Sequence, residues 1–106
     1  MSMTTNEFSS IVATGMELEK KVDLALHMAQ SKARSRRDIS REIVECLNAL
    51  KDFSDYNKRV LGEMERQALS NGDELFVAEM INPMRRELQN KEESVRGELR
   101  RLQMGM

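Results

Sequence analysis

Aromatic side chains are scarce in this chain, with three Phe, one Tyr and no Trp among 106 residues. So few sheet-forming residues exclude a β-sandwich as the fold class. Proline occurs once, at Pro83, and glycine five times. That supply of chain-breaking residues suits a few long helices. Cysteine also occurs once, so Cys46 can form no disulfide within the chain, which points to a reducing compartment and to a packing role for the thiol. The single histidine, His27, has neither Cys46 nor an Asp pair at helical spacing, and no zinc-ligand pattern arises. No apolar run approaches the ~18 residues that span a bilayer, and Met1 to Glu7 lacks the basic and apolar regions of a secretory signal. A cytoplasmic location is the expectation.

Charge of one sign is lacking too. Seventeen basic and eighteen acidic side chains leave a net charge of -1, so no whole-molecule field draws the protein to nucleic acid or anionic lipid. A catalytic constellation is likewise missing. Ser9, Ser10 and Asp23 stand in no nucleophile, base and orienter arrangement, and no Gly-rich phosphate loop occurs. The sequence therefore predicts a protein that is not an enzyme and uses no cofactor.

What the chain does have is a seven-residue apolar period. With Phe8 as position a, the a sites run Phe8, Gly15, Val22, Ala29, Arg36, Ile43, Leu50, Asn57 and Met64. The d sites run Ile11, Leu18, Ala25, Lys32, Ile39, Cys46, Phe53, Val60 and Gln67. Alternating steps of three and four keep these side chains on one face of a helix, the requirement for a packed helical seam. Val12, Leu26 and Ala33 widen the stripe on one side, which favours a bundle over a two-stranded coil.

Helix boundaries follow from the punctuation. Thr4 and Glu7 match a capping box, placing helix one at about residues 5–33. Lys32 and Arg36 then occupy apolar positions, and Ser35 with Asp38 forms a second capping pair before helix two, at about 38–70. Yet no Gly or Pro stands between Met16 and Leu61, and the heptad resumes in phase at Ile39. The alternative is thus a continuous rod of ~95 Å with a shorter helical return arm, stable as a dimeric coiled coil. Asn71 and Gly72 close helix two, and Asp73 caps helix three, about 74–102, which kinks at Pro83 or restarts there with Asn82 as cap. Asn57 at an a site either fixes register or faces the bundle edge. Residues 1–4 and 103–106 carry no pattern and are expected to fray. The pairs Glu17 with Lys21, Glu87 with Lys91, and Glu92 with Arg96 read as i to i+4 ion pairs on solvated faces. The resulting fold class is all-α, an antiparallel three-helix bundle forming a single domain over residues 1–106.

Two deviations bear on function. Lys32, Arg34, Arg36, Arg37 and Arg41 form a local basic segment that could contact phosphate, although no interleaved aromatics support base stacking. Nine methionines, an unusual number, supply flexible side chains suited to surfaces that repack on a partner. Ile43, Leu47, Leu50, Phe53, Val60 and Leu61 are the expected seam, leaving Met16, Leu75, Phe76, Met80 and Leu99 as the candidate partner surface. The expected function is protein-protein binding, as an assembly factor, adaptor or chaperone-like subunit that binds another protein, itself as a homo-oligomer, or both. A small nucleic-acid-binding regulator using the basic segment is the alternative, and a peripheral membrane-binding dimer ranks last.

Overall fold

A computed structural model describes residues 5–105. The chain folds into three helical arms: α1 (Thr5–Arg34), α2 (Ser40–Ser70), and a third arm built of α3 (Glu74–Phe76), a π-helical turn (Val77–Ile81) and α4 (Asn82–Met104). Successive arms run antiparallel, so α1 and α4 are parallel. Two contacts show their register: Lys91 pairs with Asp23 at 2.6 Å, and Gln30 donates to Glu98 at 3.0 Å, each across 68 residues. The molecule measures 54 × 24 × 15 Å, so the ~95 Å rod is replaced by a folded-back bundle.

The break that makes this possible is a helix-ending motif without glycine. The Arg37 amide donates to the Lys32 carbonyl and the Arg36 amide to the Ala33 carbonyl, with Arg36 in the left-handed region at φ 56°. This is the Schellman pattern, which satisfies the orphan carbonyls of α1. The α2 end repeats it. There the Asp73 amide donates to Ala68, the Gly72 amide to Leu69, and Gly72 takes φ 72°. The expected pairing of Ser35 with Asp38 does not form. Ser35 bonds back to the Ser31 carbonyl, while the Asp38 carboxylate accepts from both the amide and the hydroxyl of Ser40. Helix two consequently starts at Ser40, two residues later than expected. Thr4, the expected cap of helix one, lies outside the described residues, as do residues 1–3 and 106.

Pro83 neither ends the third arm nor needs Asn82 as a cap. Its ring crowds the carbonyl four residues earlier and it has no amide hydrogen to donate. The helix answers by widening just before it, with the Asn82 amide reaching back five residues to Val77. Asp73 caps the arm as expected, accepting from the Phe76 amide at 3.1 Å. The far end is helical to Met104, so the fraying expected at residues 103 and 104 does not occur.

One core joins all three arms: Val22 and Ala29 from α1, Ile39 and the stripe Ile43, Cys46, Leu50, Phe53 and Leu61 around α2, and Ile81, Leu88, Val95 and Leu99 from the third arm. Leu47, assigned to the seam, is 42% exposed because it lies beside the packed stripe, on its solvent side. Val60 is half-buried. The expected pairs of Lys91 with Glu87 and Glu92 with Arg96 give way to cross-arm contacts, since Glu92 accepts from Ser54 of α2 and pairs with Lys58. Arg85 likewise pairs with Glu65. Such contacts fix the vertical register of the arms more than they stabilise them.

Candidate interaction groove

The two halves of α1 have the same heptad but different surroundings. At the a sites Val22 and Ala29 are fully buried, whereas Phe8 is 52% exposed, and beside it Val12 and Met16 are also open to solvent. The cause is geometric. Toward its carboxyl end α1 is tied to α4 by the Asp23–Lys91 and Gln30–Glu98 contacts; toward its amino end side chains of α1, α2 and α4 line an open space. The result is a groove of about 290 Å³. Its α1 wall is Phe8, Val12 and Met16, its floor includes Phe53, Val60, Leu61 and Met64, and its α4 wall carries Met84 and Leu88.

Local sequence positions each part. Phe8, Val12 and Met16 recur every fourth residue and share a face. A Cβ on Gly15 would stand 3.9 Å from Cε1 of the Tyr56 ring, and the Tyr56 hydroxyl donates to the Ile11 carbonyl at 3.2 Å. This contact anchors α1 to α2 at the groove's edge. Asn57 donates to the Phe53 carbonyl at 2.7 Å and lines the groove, so it faces the bundle edge and does not fix a seam. Three charged side chains line the groove. Lys91 is held by Asp23, while Glu19 and Glu87, exposed and 68 residues apart like the tied pairs below them, have no ion-pair partner among the described residues.

Of the sequence-predicted partner surface, Met16 lies in the groove wall, and Leu75 and Met80 are exposed on the third arm. Phe76 is half-buried, packed against the core and lining a shallower hollow with Phe8 and Met64. Leu99 does not belong to that surface. At 2% exposure it is part of the core, because it continues the Leu88 and Val95 stripe that α4 turns inward. The residues that sequence reasoning left out are Phe8 and Val12, which were read as seam, and Met84 and the two carboxylates.

The basic segment is divided. Lys32 bonds to Glu42 at 2.9 Å, a carboxylate only 5% exposed, and Arg41 pairs with Glu45 at 3.0 Å. The Lys32 hydrogen bond outweighs burial and holds the Glu42 carboxyl below its ordinary value of 4.5. Arg34, Arg36 and Arg37 remain exposed. Arg34 shares a cleft with Glu98, Arg101 and Leu102 at the carboxyl end of α4, where Arg101 pairs with Glu98 at 2.6 Å.

Nothing in these sites resembles a metal centre. Among the described residues no three His, Cys, Asp or Glu side chains could hold an ion, and His27 is exposed. Burial, and then Asp23, pushes the Cys46 thiol up, and its Sγ lies 4.0 Å from the Val22 carbonyl, to which it donates. No helix among the described residues is long and apolar enough to cross a membrane. No protein-family model matches the chain. No curated protein and no solved structure matches it.

Proposed function

We propose that the protein is a non-enzymatic interaction protein, an adaptor, assembly factor or chaperone-like subunit, whose groove receives a helix of another protein. The observation that carries this reading is the exposure of Phe8, which shares its heptad position with the fully buried Val22 and Ala29, together with the exposed Val12 and Met16 beside it. A seam left uncovered at its first position, with exposed apolar side chains beside it, leaves a place for one further helix, as in a four-helix bundle. Methionines at positions 16, 64 and 84 let the walls adapt to the guest. The unpaired, buried Cys46 agrees with a reducing, cytoplasmic setting.

Photo-cross-linking tests the reading. A photoreactive residue placed at Val12, Met16 or Met84 gives a defined adduct with a protein partner in cell extract, while the same residue at the exposed positions Val44 and Leu47 gives none. Adducts from all five positions alike, or from none, reject the groove as the site.

A second reading rests on Arg34, exposed beside the Arg101–Glu98 pair at one end of the bundle. It makes the basic end, with Arg36 and Arg37, a contact for nucleic acid. Phosphate neutralisation makes affinity fall steeply with salt. Changing Arg34, Arg36, Arg37 and Arg101 to Gln would then abolish a salt-sensitive gel shift, and equal binding by the variant, or none by either protein, rejects this reading.

A further inference from the structure

The chemistry of the groove's mouth narrows the kind of helix that fits. Within each tied turn between α1 and α4 the facing groups are complementary, Asp23 with Lys91 and Gln30 with Glu98. One turn above Asp23 the corresponding groups are Glu19 and Glu87, which line the groove with no ion-pair partner among the described residues, while the one cation lining it, Lys91, is held by Asp23. Like charges so placed oppose closure of the two helices on each other. They also disfavour a second copy of this chain seated groove to groove, because that arrangement brings four such carboxylates together.

We infer that the occupant is a cationic amphipathic helix of a different protein, with apolar side chains at i, i+3, i+4 and i+7 and a Lys or Arg one turn beyond them that lies between Glu19 and Glu87. This inference rests on the helix-docking reading proposed above and adds the sign of the guest's charge. The wall from Phe8 to Glu19 is ~18 Å long at 1.5 Å per residue, room for about three turns of guest helix. Phe8, Val12 and Met16 meet its apolar face, and the carboxylates select its charged end.

Two synthetic helical peptides of about fourteen residues test this, identical in apolar stripe but carrying Lys in one and Glu in the other at the charged positions. Binding is measured by titration against the wild-type chain and against the double variant Glu19→Gln and Glu87→Gln, with the methionine methyl signals followed by NMR. Both substitutions are at exposed positions, and circular dichroism confirms the fold of the variant. The Lys peptide is expected to bind about tenfold more tightly than the Glu peptide, with the gap nearly lost in the double variant. Signals of Met16, Met64 and Met84 move, and those of Met28 and Met104 stay in place.

Equal binding of both peptides with the same methyl shifts overturns the charge inference while leaving helix docking intact. No binding, or shifts confined to Met28 and Met104, overturns both. Methyl shifts that grow with the concentration of the chain alone, together with a doubled mass in solution, identify a second copy as the occupant and overturn the inference.

Discussion

Arg36 holds a backbone angle, φ 56°, that suits glycine and costs a residue with a side chain roughly 1–2 kcal/mol. Its neighbour in kind, Gly72 at φ 72°, performs the same turn without that cost. Arg36→Gly should therefore raise stability by about 1 kcal/mol, read as a melting point several degrees higher, while Gly72→Ala lowers it by a similar amount. An unchanged or lower melting point for Arg36→Gly would mean that the turn gains nothing from relief at this position. The same residue explains why the break between helices was hard to read. A Schellman turn advertises itself through Gly, as Asn71 and Gly72 did, and an Arg in that place looks like one more position of a continuous heptad. Glu42 was equally illegible, since a Glu at the first turn of a helix reads as solvated. Its burial follows from Lys32, ten residues earlier, reaching across the turn. Because that carboxyl is held below 4.5, the pair contributes stability above that pH and loses it as pH falls through the lowered value. The melting-point difference between wild type and Lys32→Met should thus be largest above pH 5 and shrink on acidification. A difference that is constant with pH would place the effect elsewhere.

Whole elements followed the period of their apolar residues. The stripe from Ile43 to Leu61 on α2 was visible in sequence because every third or fourth residue there is covered on both sides by other arms, and Phe53 and Leu50 are buried as that pattern required. Truncating a packed Phe leaves a cavity costing about 3–5 kcal/mol, so Phe53→Ala should unfold the domain or sharply lower its melting point. Retention of the wild-type melting point would remove Phe53 from the core. The limits of periodicity show in α1. Phe8 stands in the same phase as Val22 and Ala29, and no sequence signal separates the covered positions from the open one, because coverage depends on where the other arms lie. The third arm adds a local rule that sequence gave only in part. Pro83 was a clear signal for disturbance, yet the chain absorbs it by widening one turn, with Phe76 and Val77 still packed against the core. Leu99, read as spare apolar surface, was in truth the continuation of the Leu88 and Val95 stripe. Exposed apolar candidates can be told from core only once the neighbouring helix has been placed.

Across the whole molecule, near-zero net charge conceals a strong polarity. Among the described residues the end built from 26–48 and 94–105 holds eight Lys and Arg against four Asp and Glu, and the remainder holds nine against fourteen. This separation arises because α1 and α4 run parallel, bringing Arg34 and Arg101 to one end and leaving Glu19 and Glu87 toward the other. Composition could not reveal it, as each half averages away along the chain. The groove and the basic end are therefore separate surfaces. Both depend on the same arrangement, arms folded back on one another with an open space lined by side chains of α1, α2 and α4. Small-angle X-ray scattering over a range of concentrations tests that arrangement directly. A single 12.2 kDa chain with a radius of gyration near 16.8 Å, unchanged on dilution, is the result expected from the folded-back bundle with its groove open. A radius near the ~27 Å of a straight ~95 Å rod, or a mass that doubles with concentration, would contradict it.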